Sequence, residues 1–535
     1  MLSREYGRLA GVGGVKDVVE QLACALAARP DCSVRVVLPL YGFMDPEKIG
    51  CRQRRDPVSR KGQLTFDVDM NYAGEERREQ VKVWRCVRDR VVLYLLESAR
   101  FSEKRAPYAY TREDEAEDPE RKAGVGHGDF FCVNLLLQKA ALELMILINE
   151  RPNIIHCHDG HTALVPAMIH ELPGFRSYFR KNGLLVTIHN GGTGYHQEVD
   201  DLPFAQAVTG LPERVIRDHC LNGGFDPFLA AGSYGLVNTV SEQYARELQQ
   251  TEEDSRTGWL GHELFKRGVV IEGVTNGIDP EAFNPGRARE MGIAAPFDPA
   301  APQSLEGKHQ CKQALIDLLD GSSDHTAHVQ YGALTRGVRQ PLFTFIGRLS
   351  QQKGVSLLIS ALEELLENDP DFQVVFLGTG DREEEKALIR FVQAEAHAGR
   401  VCFIRGYAPR LANMIYAAGD FFVIPSEFEP CGLTDFMAQL FGTVPIVHHV
   451  GGLVKVVADR TGLVYREQTP KGLTEAMTAA LRLYRQHPRQ LREIQKMAVE
   501  EIRKKYTWKK VVKKYLALYD QTIERQATLL QERIQ

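Results

Sequence analysis

Residues 428–453 read FEPCGLTDFMAQLFGTVPIVHHVGGL. Glu429 comes soon after the apolar run 421–425, which is typical of a buried strand in a parallel sheet. Open α/β sheets bind ligands beyond the carboxyl ends of their strands, so we expect Glu429 to lie at a ligand site. Gly432-Leu433-Thr434 then open a predicted helix, whose free N–H groups attract an anion such as phosphate. A carboxylate for sugar hydroxyls beside amides for phosphate predicts a nucleotide-sugar site; the alternative is an ordinary strand–loop–helix connection.

Short apolar, β-branched segments alternate with amphipathic helices on both sides of this stretch, which is the pattern of parallel βαβ folds. The predicted strands are 34–38, 154–158, 184–189, 236–240 and 269–274 in the first half, and 342–346, 374–377, 401–404, 421–424 and 444–447 in the second. Residues 67–97 alternate apolar and polar side chains and predict an antiparallel insertion. The fold class is therefore α/β, with one parallel sheet in each half.

The length of 535 residues exceeds one ordinary core, and we expect two domains. Composition is that of a soluble globular protein, with 44% hydrophobic and 25% charged residues. The net charge of -4 argues against a nucleic-acid partner. From the sequence we expect no apolar run of the roughly 18 residues that are needed to span a bilayer, and therefore no membrane partner.

Ten cysteines are scattered along the chain with no C-x-x-C pair. This spacing argues against a disulfide framework and against a thiolate zinc site, and indicates a reducing compartment. The N-terminal sequence MLSREYGRLAGVGG lacks the basic and apolar regions of an export signal. We therefore expect a cytoplasmic protein.

The stretch 428–453 closely resembles the donor-site signature of bacterial glycogen synthases and plant starch synthases, and the resemblance extends over nearly the whole chain. It implies a GT-B fold, with two Rossmann-like domains facing across a cleft and a C-terminal helix crossing back to the N-terminal domain. The corresponding boundaries are 1–282 for the N-terminal acceptor-side domain, 283–508 for the donor domain and 509–535 for the crossing helix. Family members usually begin with a full apolar strand before a glutamate that Glu5 matches, so we expect a shortened first strand here.

On the donor side, Arg348 and Lys353 lie in GRLSQQKG (347–354), between a predicted strand and a helix. A departing diphosphate needs cations or amides when no metal is required, and the family's R-x-x-x-x-K pair, which these two residues match, contacts the donor phosphates. Glu429 would orient sugar hydroxyls. The other donor-side residues that the resemblance carries over are Tyr407 for base stacking, Cys431, Gly432, Leu433, Thr434, Gly451 and Gly452.

On the acceptor side, Gly13-Gly14 precede a predicted helix, and with Asp17 they match the family's glycine-pair loop. The lysine usually found two residues ahead of the pair is replaced by Gly11, and Lys16 is a possible substitute. Glu427 is a second departure, since most relatives carry arginine there. Both changes leave donor handling open.

The segment HCHDGH (156–161) matches the family's H-x-H-D-W-H, with Gly160 in place of tryptophan. Zinc is an alternative that we reject, because strand alternation sends His156 and His158 to one face and Cys157 to the other. By resemblance Asp159 faces the acceptor or the transferred sugar, and His189 with Asn190 lies over the reacting sugar; a satisfied core histidine is the alternative. Asn276 in VTNGID (274–279) matches another sugar-side motif.

The resemblance predicts an enzyme that transfers glucose, with retention, from ADP-glucose to the non-reducing end of an α-1,4-glucan. The predicted catalytic residues are His189, Arg348, Lys353, Glu429 and Asp159, and no metal or cofactor is expected. Asp67-Val68-Asp69 resembles the D-x-D metal motif of another glycosyltransferase fold, but it lies in an alternating strand and is rejected. The alternatives are UDP-glucose as donor, a small acceptor, or a non-catalytic glucan- or nucleotide-binding relative, and the oligomeric state stays open.

Overall fold

The computed structural model describes residues 1–301, 305–321, 329–335, 337–369, 371–406 and 408–532. These residues form two compact units. The first comprises Met1–Gly277 together with the chain from Trp508 onward, and the second comprises Ile278–Thr507. The domain boundaries drawn from the sequence, after residues 282 and 508, stay predictions.

The sheet of the first unit combines a parallel part with an antiparallel part. Its strands, with a small separate hairpin, are β1 (Arg35–Pro39), β2 (Arg52–Gln53), β3 (Thr65–Asp69), β4 (Arg78–Arg88), β5 (Val91–Glu97), β6 (Ile154–His158), β7 (Gly183–Ile188), β8 (Cys220–Leu221), β9 (Gly224–Phe225), β10 (Leu236–Thr239) and β11 (Glu272–Gly273). The parallel order is β11-β10-β7-β6, and β1 continues in parallel to β5 before the antiparallel pairs with β4, β2 and β3. Leu2 pairs with both Val37 and Cys157 and so connects the two parts.

Helices cover this sheet. They are α1 (Val15–Ala27), α2 (Ala99–Ser102), α3 (Arg112–Glu117), α4 (Phe130–Leu147), α5 (Val165–Glu171), α6 (Pro173–Phe179), α7 (Leu202–Thr209), α8 (Glu213–Asp218), α9 (Pro227–Tyr234), α10 (Glu242–Gln250) and α11 (Leu260–Lys266). Helix α4 is long and apolar enough to cross a membrane, contrary to the expectation that no segment reaches that length. In the protein 67% of this helix is buried, so its apolar composition also fits a helix of the protein core.

The second unit holds a seven-stranded sheet in the order β12-β15-β14-β13-β16-β17-β18, parallel except for the edge strand β12. The strands are β12 (Val329–Gly332), β13 (Leu342–Ile346), β14 (Gln373–Gly378), β15 (Val401–Arg405), β16 (Phe421–Ile424), β17 (Val444–His448) and β18 (Leu463–Tyr465). The helices are α12 (Ala288–Met291), α13 (Glu306–Leu318), α14 (Val355–Asn368), α15 (Arg382–Gln393), α16 (Pro409–Ala418), α17 (Thr434–Leu440), α18 (Pro470–Gln486) and α19 (Pro488–Glu501). Strands β14, β16 and β17 are buried along their whole length, as expected for parallel strands covered on both faces.

The last helix, α20 (Trp508–Glu532), belongs to the first unit and packs on α1 and β7. The Trp508 indole N–H donates to the side-chain oxygen of Gln21 at 2.7 Å. Gly183 at the start of β7 permits the close packing, since a Cβ there would overlap the side chain of Thr522. The helix therefore returns to the domain in which the chain begins.

Two local expectations are wrong. Residues 269–274 form only the two-residue strand β11, and the edge strands β12 and β18 had no counterpart in the sequence prediction.

The cysteines are also not all single, because the structure pairs Cys51 with Cys86, with their Cα atoms 4.4 Å apart. The β2–β4 register, Arg52 opposite Arg85, makes these cysteines cross-strand neighbours, and β2 is too short to be recognised from sequence. The other eight cysteines are free thiols.

Candidate active site

The turn that carries Lys353 lies at the carboxyl end of β13 and packs against the loop after the neighbouring strand β16. Gly354 closes the turn with φ +68°, and a Cβ there would overlap the carbonyl oxygen of Pro425. The backbone N–H of Glu427 donates to the carbonyl oxygen of Gln352 at 2.8 Å. Adjacent parallel strands thus bring two loops together that are more than 70 residues apart in the sequence.

Lys353 and Glu429 form an ion pair where these loops meet. The Lys353 Nζ lies 2.5 Å from Glu429 Oε2, and the Ser426 hydroxyl donates to the same oxygen at 3.1 Å. The side chains are 25% and 12% exposed, so both remain accessible to a ligand. Arg348 lies two residues after the end of β13 and is exposed. Its side chain has no ion-pair or hydrogen-bond partner among the described residues.

Two glycine loops adjoin the ion pair. Gly432 has φ +73° and Gly451 has φ +51°, both in the left-handed region that favours glycine. A Cβ at Gly452 would overlap the Cys431 backbone, and the Gly452 N–H donates to the Glu429 carbonyl oxygen at 2.8 Å. The predicted residues Cys431, Gly432, Gly451 and Gly452 are therefore brought together with Glu429.

Helix α17 begins at Thr434, with Leu433 as its N-cap residue. This agrees with the predicted helix start, although the helix has only 7 residues. Tyr407, the predicted base-stacking residue, lies outside the described residues. Its position relative to these loops therefore stays a prediction.

Lys455 is a residue of this site that the sequence did not reveal. Its Nζ donates to the carbonyl oxygens of Cys431, Gly432 and Gly452, the last two at 2.9 and 3.0 Å. It also lies 3.1 Å from Asp435 Oδ1, with side-chain exposures of 5% and 0%. One buried ammonium thus joins both glycine loops to the first turn of α17.

The Asp435 carboxyl group is completely buried, and burial raises its pKa to about 6. The positive charge of Lys455 opposes that shift and keeps the carboxylate form accessible near neutral pH. Because a buried carboxylate without a counterion is costly, Asp435 and Lys455 depend on each other.

In the first unit, Glu5 holds the glycine-pair loop. Its Oε2 accepts the backbone N–H of Val12 at 3.1 Å, and its Oε1 accepts the Tyr108 hydroxyl at 2.5 Å. Burial raises the pKa of Glu5. Gly13 follows with open space around its Cα, and Gly14 is the exposed N-cap residue of α1. The backbone of this loop is therefore accessible beside a buried carboxyl group.

The departure at Gly11 has a structural explanation. Gly11 has φ +147°, and a Cβ there would overlap the Glu5 carboxyl group and the aliphatic part of Lys16. The Lys16 side chain thus occupies the space beside residue 11, and its Nζ lies 3.2 Å from Asp17 Oδ1. The predicted binding residue Asp17 is therefore paired with a lysine that stands near the position of the missing one.

Asp159 and His189 meet at the ends of β6 and β7. The Asp159 Oδ1 accepts the His189 backbone N–H at 2.7 Å, and Asp159 has the unusual φ of +61°. Burial, with a smaller contribution from the charge of Glu5, raises the pKa of Asp159 to about 8. The charge of Glu5 therefore acts on Asp159, while its carboxyl group binds the glycine-pair loop.

The neighbouring histidines bind one another and the core. His158 Nδ1 lies 3.0 Å from His189 Nε2, so one ring donates and the other accepts. Burial lowers the pKa of His189 to about 3, which makes its ring neutral at physiological pH. His156 uses both ring nitrogens, contacting the Tyr519 hydroxyl at 3.0 Å and the Thr187 hydroxyl at 2.7 Å. His156 is thus a structural residue that connects β6, β7 and α20.

The remaining residues of this unit that the sequence singled out have separate local roles. Asn190 accepts the Gly192 N–H at 2.8 Å and so shapes the loop after His189. Asn276 is buried, and its Oδ1 accepts no hydrogen bond from the described residues. Gly160 has no room for a larger side chain, since a Cβ there would overlap the His196 carbonyl oxygen.

Asp159 is expected to make stability fall as the pH rises. Its pKa is about 8 in the folded protein and 3.8 as the reference, so only the folded state keeps the proton between these values. Stability should fall there by up to about 1.4 kcal/mol per pH unit, and Asp159→Asn should remove this slope. Thermal midpoints at pH 5, 6, 7 and 8 check this: the variant should gain on the wild type with each step. Parallel midpoints would contradict it.

Comparison with known proteins identifies the family of this chain. The model of the starch synthase catalytic domain matches residues 1–263, and that of the glycosyl transferases group 1 matches residues 333–497. The glycogen synthase of Vibrio parahaemolyticus is 32% identical over 441 residues, covering 80% of this chain and 81% of that protein. The glycogen synthase of Streptococcus equi is 30% identical over 531 residues, covering 97% and 98%.

Solved structures give the same result. The catalytic domain of starch synthase IV from Arabidopsis thaliana, bound to ADP and acarbose, superposes with a TM-score of 0.77 at 25% identity over 98% of both chains. The sucrose-phosphate synthase of Thermosynechococcus elongatus, with a TM-score of 0.56 at 16% identity, shares the fold alone. The chain thus has the GT-B fold and belongs to the glycogen synthase and starch synthase family of glycosyltransferases.

Proposed function

We propose that this protein transfers glucose from ADP-glucose to the non-reducing end of an α-1,4-glucan, with retention of configuration. The observation that carries the proposal is the accessible Lys353–Glu429 pair beside the two glycine loops. An ammonium group suits the departing diphosphate, and a carboxylate suits sugar hydroxyls. The related starch synthase IV domain is described with ADP and acarbose bound, which supports an adenine nucleotide donor and a glucan acceptor here.

In this proposal the leaving diphosphate is held by Lys353, by the exposed Arg348 and by the amides of residues 432–434. Glu429 orients the hydroxyls of the transferred glucose. The bond from the anomeric carbon to the phosphate oxygen breaks while the acceptor hydroxyl attacks from the same face. The acceptor proton passes to the leaving phosphate, so charge and atoms balance without a covalent enzyme intermediate.

The two groups at the ends of β6 and β7 support front-face attack. Asp159 is protonated at neutral pH because its pKa is about 8, and its Oδ1 already accepts a backbone N–H, so it is a poor nucleophile. His189 is neutral because its pKa is about 3, so its ring is not a proton donor at pH 7. We assign this neutral ring the polar support of positive charge at the anomeric carbon, the role that the family resemblance implies.

The test is a set of initial rates with ADP-glucose and UDP-glucose on glycogen and on short maltooligosaccharides. We expect faster transfer from ADP-glucose and a product whose new linkages are α-1,4. Linkage analysis by NMR identifies the anomer directly. A faster rate from UDP-glucose would overturn the donor, a β-linked product would overturn retention, and no transfer to glycogen would overturn the enzyme itself.

We also propose a cytoplasmic location. Eight of the ten cysteines are free thiols, which suits a reducing compartment better than an oxidising one. Cell fractionation with compartment markers tests this, and recovery in an exported fraction would contradict it.

A further inference from the structure

Trp259 is exposed, unlike the other tryptophans of the chain. The sequence has 3 tryptophans, and Trp84 and Trp508 are 9% and 5% exposed, whereas Trp259 is 45% exposed. A large apolar ring in water gives up the favourable burial that the other two have. Trp259 precedes α11, where a small polar N-cap residue is the usual choice.

The backbone of Trp259 is held in an unusual conformation. Its φ and ψ are +69° and +27°, in the left-handed region that bulky residues rarely adopt, and Gly258 before it has the same conformation. The Trp259 N–H donates to the carbonyl oxygen of the buried Asp254 at 3.0 Å. The Asp254 carboxylate in turn accepts the backbone N–H groups of Gly261 and His262 at 3.1 and 2.8 Å. A buried carboxylate thus fixes the turn that presents the ring.

Further contacts fix the ring and the turn. The His262 ring meets the Trp259 indole edge-on at 5.1 Å between centroids, and His262 Nδ1 lies 2.9 Å from Asp254 Oδ2. Asn222, at the tip of the β8–β9 hairpin, donates to the Gly258 carbonyl oxygen at 3.1 Å. The ring is therefore preorganised, which lowers the entropy lost when a ligand contacts it.

The same turn packs on the loop that follows His189. The Thr193 N–H donates to the Arg256 carbonyl oxygen at 3.3 Å, and a Cβ at Gly191 would lie 3.6 Å from Thr257 Cγ2. The chain takes four residue steps from His189 to Thr193 and three from Arg256 to Trp259. At a maximal span of about 3.6 Å per residue, these seven steps and the Thr193–Arg256 contact place Trp259 within about 30 Å of His189. Trp259 is thus in the same unit as the proposed sugar-side residues and beside their loop.

We propose that Trp259 is a stacking platform for the α-1,4-glucan acceptor, outside the transfer site; this rests on the proposed function. The C–H face of a glucose ring packs against an aromatic face without needing a charge. A single rigid ring is too small to hold a protein partner, because a stable protein interface needs about 800 Å² per side. We therefore favour a glucan as the ligand. Phe265, an exposed aromatic residue within α11, serves as the matched control because it lies outside the turn that fixes Trp259.

The variants to compare are Trp259→Gly, Trp259→Tyr and, as a matched control, Phe265→Ala. Glycine suits the left-handed backbone, so Trp259→Gly removes the ring without lowering the thermal midpoint. We expect Trp259→Gly to raise the KM for glycogen about fivefold, with the KM for maltotriose and for ADP-glucose unchanged. Trp259→Tyr should restore most of the glycogen affinity, and Phe265→Ala should leave it unchanged.

Tryptophan fluorescence gives a readout that needs no turnover. Titration with glycogen in the absence of donor should change the emission of the wild type and leave that of Trp259→Tyr unchanged, because Trp84 and Trp508 are buried. Unchanged glycogen KM in Trp259→Gly, or an equal rise for maltotriose, would overturn the platform. A changed oligomeric state in sedimentation, with unchanged glucan affinity, would overturn it in favour of a protein interface. Failure of sugar transfer alone would count against the proposed function, and the titration would still decide the platform.

Discussion

Lys353→Ala is expected to lower kcat/KM for the sugar nucleotide by roughly 10²- to 10³-fold, the usual effect of removing one preorganised group that stabilises developing charge. The charge on the departing diphosphate grows in the transition state, so the lysine should act more on kcat than on KM. Removal of Lys353 also leaves the Glu429 carboxylate, 12% exposed, without its cation. The activity loss should therefore exceed what either phosphate binding or sugar positioning would cause alone.

Two variants separate chemistry from general damage. Lys386 pairs with Glu383 at 2.8 Å on the surface of the same unit, so Lys386→Ala removes a solvent-exposed ion pair that is not among the proposed binding residues and should keep full activity. Lys353→Arg keeps the charge and should retain part of the rate. Rates with ADP-glucose and glycogen, together with circular dichroism of each variant, check this. Equal activity of Lys353→Ala and wild type would remove the lysine from the mechanism.

The pairing of Lys353 with Glu429 could be anticipated because both residues follow strands that the sequence identifies well. Strands β13 and β16 match the predicted ranges residue for residue, and their neighbouring positions in a parallel sheet bring the two loops together. The roles of Lys353 and Glu429 came from the resemblance of their flanking motifs to those of the family. Local pattern and topology suffice when a site is built from the ends of regular strands.

Other parts of the site could not be anticipated, because they depend on side chains that meet only in the folded chain. Gly11 looks like a lost cation in the sequence, which offers Lys16 only as an open alternative, whereas the structure places the Lys16 side chain directly beside residue 11. The pairing of Cys51 with Cys86 depends on a two-residue strand without a sequence signal. At Gly160 the absence of a side chain follows from the His196 carbonyl, which is 36 residues away in sequence.

The largest stability effect is expected at Lys455. Lys455→Met keeps a side chain of similar length, but it removes the ammonium that lies over the Phe436 ring and donates to three carbonyl oxygens, and it leaves Asp435 buried without a counterion. Breaking a buried ion pair on one side costs about 3–5 kcal/mol. For a unit of this size the thermal midpoint of its unfolding transition should fall by roughly 10 °C. Donor affinity should weaken as well, because both glycine loops lose their common anchor.

The double variant Lys455→Met with Asp435→Asn distinguishes an uncompensated charge from lost packing. Without the carboxylate there is no buried charge to neutralise, so the double variant should recover more than half of the lost stability.

The single variant Lys455→Met should also show its own pH dependence. The pKa of Asp435 is already raised to about 6 by burial, and loss of Lys455 raises it further. The folded variant then keeps a proton that the unfolded chain has released, so its deficit should grow as the pH rises from 5 to 8, by up to about 1.4 kcal/mol per pH unit. A deficit that is the same at both pH values, and persists in the double variant, would mean that Lys455 acts by packing and not by neutralising Asp435.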